Sequence, residues 1–155
     1  MASVERFEDL ICWQEGRKLV NLIYQQTSQK QFIAFSLKDQ LQRATVSIIS
    51  NIAECFERGA KEEFIYFLYI AKGSCGEVRT QLYIALDQKF INKFEFESAS
   101  NLAKRVSAML YRLIQSLKVS KFKGLRHKLS SPVKNSNWED FLKQQYPDIH
   151  KKLYS

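Results

Sequence analysis

The stretch SIISNIAECFERGAKEEFIYFLYIAKGSCGE, residues 47–77, decides the fold. Its first half places polar side chains at i, i+4, i+7 and i+11 between largely apolar positions, which is the spacing of one stripe along an α-helix. Gly59 suits the left-handed position that follows a helix, and a helical pattern resumes near Lys61. The stretch therefore predicts a helix, a tight turn and a second, antiparallel helix. The polar stripe consists of Ser47, Asn51, Glu54 and Arg58.

The same periodicity extends over most of the chain. Apolar residues at spacings of three and four predict helices over residues 7–28, 36–57, 61–88 and 94–117. Glu8 and Asp9 lie in the first turn of the first helix, where the helix dipole favours acids, and Ser36 is the expected N-cap of the second. No alternating strand pattern occurs between residues 7 and 117. The prediction is an all-α fold, an antiparallel up-down-up-down four-helix bundle with a C-terminal extension.

Three glycines inside these helices require a packing reason, because glycine costs about 1 kcal/mol relative to alanine in a helix interior. For Gly16 we expect a close neighbouring backbone. Gly73 and Gly76 lie in a run with little side-chain bulk, residues 71–76, which predicts the close approach of another helix.

Positive charge is concentrated near the C-terminus. The 155 residues include 24 Lys and Arg and 16 Asp and Glu, a net charge of +8, and an excess of this kind favours anionic partners. Residues 118–134 contain six basic residues and no acid. We therefore divide the chain into a four-helix bundle, residues 1–118, and a basic linker with a short docking helix, residues 119–155. The candidate nucleic-acid-binding residues are Lys118, Lys121, Lys123, Arg126, Lys128 and Lys134.

Two interpretations of the basic segment stay open. Phe122 and Leu125 lie among its charges, which suits a chain that follows phosphates while apolar side chains anchor it. Six contacts with a single strand would make log K fall with log salt with a slope of roughly −4. The alternative is a solvated linker. Further along, Trp138, Phe141 and Leu142 form one small apolar face, which docks on the bundle, docks on a partner or stays loose.

The sequence gives no sign of catalysis. His127 and His150 are not at metal-ligand spacing from any Cys or acid, and no nucleophile elbow, phosphate-binding glycine loop or zinc signature occurs. We expect no cofactor, no metal and no enzymatic activity. The polar stripe, together with Glu63, Ser74 and Glu77, is interpreted as a structural polar layer that fixes the register of the second and third helices.

The cysteines and the N-terminus indicate the compartment. Cys12, Cys55 and Cys75 are odd in number and lie in helical patterns, so we interpret them as reduced core residues of a cytoplasmic protein. The N-terminal residues lack the apolar run of a signal peptide, and no run of eighteen or more apolar residues occurs. We therefore expect a soluble protein without a membrane partner.

The central stretch also resembles a known family. The residues that carry the resemblance are Ser47-Ile48-x-x-Asn51-Ile52-Ala53-Glu54, Arg58, Glu63-Phe64-x-x-Phe67-Leu68-x-Ile70-Ala71-x-Gly73-Ser74-x-x-Glu77 and Phe7-Glu8-Asp9-Leu10-x-x-Trp13-Gln14. They are similar to those of the four-helix-bundle proteins encoded in intervening sequences of bacterial 23S ribosomal RNA genes. The resemblance runs from about residue 7 to 118. Ile49 and Cys55 stand where the family commonly has proline and glycine, which predicts a straighter second helix.

The resemblance implies a homopentameric ring. Related accessory proteins of diversity-generating retroelements share the bundle and the ring, and they bind a reverse transcriptase together with nucleic acid. By resemblance we expect a non-enzymatic nucleic-acid-binding scaffold or accessory protein, whose partners are RNA or DNA and further copies of itself. The alternative is a protein-interaction adaptor that binds a reverse transcriptase of such a retroelement. A nuclease is a third hypothesis.

Overall fold

Four α-helices make up most of the computed structural model, which describes residues 4–121 and Lys143. A short 3-10 helix, Phe7–Asp9, comes first. No strand occurs among the described residues. The α-helices are α1 (Ile11–Thr27), α2 (Phe35–Arg58), α3 (Lys61–Asp87) and α4 (Lys93–Val119).

The helices form a closed arrangement of neighbours. Each helix packs against the next one along the chain, and α1 also packs against α4. The connections, residues 28–34, 59–60 and 88–92, are short, and short links place successive helices antiparallel. The structure therefore confirms the predicted all-α four-helix bundle.

The core lies along the axis of the bundle, where one face of each helix is buried. In α2 the apolar positions spaced three and four apart are buried as the spacing predicts, except that the first of them, Leu37, is only partly buried. The buried positions are Leu41, Ala44, Ile48, Ile52 and Cys55. Burying such side chains stabilises the fold by about 1.5–3 kcal/mol each. The largest fully buried side chains include Leu19 and Ile23 of α1, Ile48 and Ile52 of α2, Phe64, Leu68 and Leu82 of α3, and Leu110, Ile114 and Leu117 of α4.

The helix ends agree with the prediction at one turn and differ at two others. Gly59 has φ 73° and follows α2 in the left-handed conformation, as expected. The first predicted helix is divided, because Leu10 has an extended backbone, ψ 124°, between the 3-10 helix and α1. Ser36 is not an N-cap. The helix begins one residue earlier, at Phe35, so Ser36 is already helical, whereas an N-cap needs the extended conformation that Ala34 adopts.

A capping box fixes the start of α4 and joins it to α1. The Asn92 side chain accepts a hydrogen bond from the Glu95 backbone N–H at 2.8 Å, and the Glu95 carboxylate accepts one from the Asn92 backbone N–H at 2.8 Å. Gln29 donates to the same carboxylate at 2.6 Å, and Gln26 donates to the Glu95 carbonyl at 2.9 Å. This end of the bundle is therefore held by side chains of both helices.

The surroundings of the three helical glycines differ from those predicted. A Cβ on Gly16 would lie 2.6 Å from Cγ2 of Ile49, so the close neighbour is a side chain of α2 rather than a backbone. A Cβ on Gly73 or Gly76 would meet nothing within 4 Å in the described part of the chain. The predicted close approach of another helix is not made within the bundle, since both glycines face outward.

Candidate nucleic-acid interface

Two facing stripes of basic residues run along α3 and α4, and we call them the α3/α4 seam. Lys61, Lys72 and Arg79 recur on α3 at spacings of eleven and seven, which keeps them on one face. Lys104 and Lys118 lie fourteen apart on α4. The sequence of α4 explains the charge, because residues 98–121 contain five basic residues and no acid.

Contacts between the helices show that the stripes face each other. Lys118 of α4 donates through Nζ to the Tyr69 hydroxyl at 2.6 Å, and Nζ of Lys72 lies 6.0 Å from the ring centroid of Tyr111. Lys61 donates to the Ser120 carbonyl at 2.7 Å, which ties the end of α4 to the start of α3. The seam therefore places a lysine beside each of two tyrosines.

The ring of Tyr69 keeps an accessible face. Nζ of Lys118 lies 2.6 Å from the hydroxyl oxygen but 5.1 Å from the ring centroid, so it sits beyond the hydroxyl and not above the ring. A cation–π contact would require the ammonium over the face. As whole residues, Tyr69 is 43% exposed and Tyr111 is 51% exposed. Each tyrosine thus presents aromatic surface to solvent beside a lysine.

Arg105, also on α4, has a structural role instead. Its guanidinium and Lys18 both bind the buried carboxylate of Glu15 on α1, with the Lys18 contact at 2.6 Å. Burial alone would raise the pKa of Glu15, but the hydrogen bond from Lys18 and the charge of Arg105 outweigh it and lower the pKa. Arg105 therefore joins α1 to α4 and shares the single negative charge of Glu15 with Lys18.

The predicted polar layer lies between α2 and α3 and separates into two groups. In the first, the hydroxyls of Ser47 and Ser74 are 3.0 Å apart across the two helices. The Asn51 amide donates to the Ser47 carbonyl at 2.8 Å and to its hydroxyl at 3.0 Å, and Ser74 also donates to the Ile70 carbonyl at 3.2 Å. These groups satisfy one another and nearby carbonyls, which agrees with a role in helix register.

The second group surrounds Arg58 at the α2–α3 turn. Its guanidinium binds the Glu54 carboxylate at 2.8 Å, an i, i+4 pair within α2, and the Glu63 carboxylate of α3 at 3.5 Å. It also lies 4.8 Å from the ring centroid of Phe67. Glu77 does not join either group, and it is exposed on α3 without a partner among the described residues. The sequence stripe therefore corresponds to two local clusters and one separate glutamate.

Chemical reactivity is low in the part of the chain that the structure describes. Burial raises the pKa of Cys12 and Cys75 to about 12 and also raises that of Cys55, so all three remain thiols at neutral pH. Residues 4–121 contain no group of three or more His, Cys, Asp or Glu that could hold a metal ion. His127 and His150 lie outside the described residues.

A comparison with protein families identifies the bundle. The family model described as 23S rRNA-intervening sequence protein matches residues 8–112, which is most of the helical region. The chain belongs to this family. The match includes the whole polar layer, Tyr69, Lys72 and Tyr111, and it ends before Lys118.

A solved structure shares the fold of this chain. It is a crystal structure from Bacteroides thetaiotaomicron, described as a protein with unknown function from the S23 ribosomal protein family. The TM-score is 0.64 at 22% sequence identity, and the similarity covers 68% of this chain and 99% of that one. At this identity the likeness supports the fold. No curated protein matches the chain significantly.

The predicted basic residues lie beyond the part of the chain that the family model matches. Of the predicted basic residues, Lys118 and Lys121 are described and exposed. Lys123, Arg126, Lys128 and Lys134 lie outside the described residues, as do Trp138, Phe141 and Leu142. Within the described ranges, no helix has the length and apolar character needed to cross a membrane.

The seam was missed at the sequence level, although a signal for it exists. The acid-free region begins at Ser98, twenty residues before the predicted basic segment, and continues to Trp138 with nine basic residues. A search for basic segments that began directly after Glu97, the last acid before this region, would have included most of α4. The tyrosines could not be found this way, since their position beside the lysines depends on the pairing of α3 with α4.

Proposed function

We propose that this protein is a non-enzymatic nucleic-acid-binding scaffold that acts as a homo-oligomer, and that the α3/α4 seam is part of its binding surface. One observation carries the proposal: residues 98–121, from α4 and the two positions after it, include five basic residues and no acid, and lysines of α3 and α4 lie beside exposed tyrosines. Basic residues bind phosphates without sequence preference, and aromatic rings can stack on any base. The ligand is therefore RNA or DNA, bound with little sequence specificity.

The acids of α3 do not cancel this charge. Glu62 follows Lys61 by one position, and Glu77 precedes Arg79 by two. At 100° per residue Glu77 turns away from Arg79 by roughly 160°, whereas Glu62 turns by roughly 100° from Lys61 and comes within about 20° of Tyr69, so one acid at most adjoins the seam. Four lysines, Lys61, Lys72, Lys104 and Lys118, remain to face a phosphate backbone, and four contacts with a single strand correspond to a salt slope of about −3.

The outward face of α3 supports the proposed self-association. Tyr66 is 62% exposed and Ile84 is 43% exposed, and the exposed Gly73 and Gly76 lie between them with open space above. Outward glycines lower the stability of a lone helix, but they allow a backbone of another copy to approach closely. The pentamer implied by the family resemblance suits this face, and five copies would carry a formal charge of five times +8, or +40.

Fluorescence anisotropy with unrelated RNA and DNA oligonucleotides at about 50 mM and about 200 mM salt tests the proposal. We expect salt-sensitive binding to both. Lys104→Ala with Lys118→Ala should weaken binding to all sequences and reduce the slope by about 1.4. Lys30→Ala with Lys38→Ala removes the same charge elsewhere and should have a smaller effect. Absence of salt-sensitive binding by the wild type, or equal effects of the two pairs, would contradict the proposal.

A chain that ends at Lys121 separates the seam from the C-terminal extension. If the extension supplies the predicted phosphate contacts, its removal should flatten the salt slope while leaving the oligomer intact. Retention of the full slope would assign binding to the bundle and favour the linker interpretation of residues 122–134.

The second candidate function is an adaptor that binds a reverse transcriptase of a diversity-generating retroelement. Ile33, Phe35 and Phe94 favour it, because they are 78%, 79% and 78% exposed. The antiparallel topology places all three at one end of the bundle, which we call the apolar end. Large exposed apolar groups that lie together commonly mark protein-binding surfaces.

A binding assay with a purified reverse transcriptase of this class distinguishes the two functions. Phe35→Ser with Phe94→Ser should abolish binding to the enzyme and leave nucleic-acid affinity unchanged. No measurable binding of the wild type to the enzyme, together with intact binding to nucleic acid, would exclude the adaptor.

A further inference from the structure

Tyr69 and Tyr111 place two accessible aromatic rings among the lysines of the seam, and we infer that they stack on unpaired bases, so that the seam selects single-stranded nucleic acid. This inference rests on the nucleic-acid-binding function proposed above and adds the class of ligand. Neither tyrosine is needed for the core, since both are about half exposed.

The arrangement of Tyr69 suits stacking. Lys118 binds its hydroxyl at 2.6 Å from the edge, which restrains the ring without covering it. The hydrogen bond also fixes the ammonium beside the ring, where the phosphate of a stacked nucleotide would lie. The Tyr69 ring and the Lys118 ammonium are thus positioned together to bind one nucleotide.

Tyr111 repeats this combination further along the seam. Its companion cation is Lys72, at 6.0 Å from the ring centroid. Tyr111 precedes Lys118 by seven residues, about 10 Å along α4, and Lys72 follows Tyr69 by three, about 4.5 Å along α3. The seam therefore holds two ring–cation pairs, separated by about 5–10 Å along the helices, and each pair could take one nucleotide of a strand.

The pairing state of the ligand follows from what a tyrosine can contact. In a duplex both faces of a base are covered by its neighbours in the stack, so a surface ring can reach only the backbone. An unpaired base offers a free face, and stacking is tolerant of sequence because every base has one. Lysines alone would bind both forms, and they would favour the higher charge density of the duplex.

The test compares a single-stranded oligonucleotide and a duplex of equal length by fluorescence anisotropy with the full chain. For the single strand, we expect Tyr69→Ala and Tyr111→Ala each to raise Kd by about 5-fold to 100-fold, with an unchanged salt slope because the phosphate contacts remain. Duplex affinity should not change. Tyr69→Phe and Tyr111→Phe keep the rings and should stay within about 2-fold of the wild type.

Tyr24→Ala is the matched control. Tyr24 is 44% exposed on α1, which does not adjoin the seam, so its loss should leave both affinities unchanged. Equal losses for single strand and duplex on Tyr69→Ala, or no loss at either tyrosine while the wild type binds with salt sensitivity, would overturn the stacking inference alone. No binding of the wild type to either form would overturn the proposed function as well.

Discussion

Replacing Gly16 by alanine would force α1 and α2 apart where they are closest. The new Cβ would lie 2.6 Å from Cγ2 of Ile49, whereas carbon atoms prefer about 3.5–4.0 Å. Cγ2 cannot swing away easily, because χ1 of a β-branched residue has one strongly preferred rotamer in a helix. The helices must separate by about 1 Å. Overpacking of this kind costs about 1–3 kcal/mol, and the better helix propensity of alanine returns about 1 kcal/mol. We expect a net loss of about 0–2 kcal/mol in the free energy of unfolding.

Urea unfolding followed by circular dichroism measures this change, and Ile49→Ala provides the decisive background. That variant removes Cγ2, so Gly16→Ala introduced into it should stabilise by about 1 kcal/mol through helix propensity. Gly16→Ala should therefore be destabilising or neutral in the wild type and stabilising in the Ile49→Ala background. Equal effects in both backgrounds, within about 0.5 kcal/mol, would refute the reasoning.

Three further predictions concern other parts of the bundle. Asn92→Ala should lower the free energy of unfolding by about 0.5–2 kcal/mol through loss of the capping box, and Asn101→Ala on the exposed face of α4 should be nearly neutral in the same urea titration. Glu15 has a lowered pKa in the folded state, so its stabilising effect exists above its unfolded pKa and is lost as pH falls through the folded pKa. Stability should therefore fall more steeply with acidification in the wild type than in Glu15→Gln, and parallel curves would contradict the ion pair. Gly73→Leu should shift the mass measured by light scattering towards the monomer without unfolding the helices, whereas an unchanged mass would exclude this face from the assembly.

Regular packing could be predicted from the sequence, since it follows from local rules. The α2 seam and the left-handed Gly59 depend on helical spacing and on the conformational freedom of glycine, which are visible in a single chain segment. The family motif lies in the same region, and the comparison with families confirms it.

Features that depend on distant partners could not be predicted in this way. Arg105 shares the carboxylate of Glu15, ninety residues earlier, with Lys18, so counting charges along α4 overstates the free positive charge. The reason for Gly16 is its contact with Ile49 of another helix, which the sequence around Gly16 does not show. The division of the polar stripe depended on which acids reach Arg58. In each case a side chain from another helix decides the role of the residue.

The bond between Lys61 and the Ser120 carbonyl has a consequence for the rest of the chain. It fixes the backbone at Ser120, two residues after Lys118 and one before Lys121. Under the proposed function, a strand held at Lys118 meets the basic residues that follow in the sequence at a high effective concentration. Two individually weak sites on one chain can then hold a strand with far greater avidity than either alone.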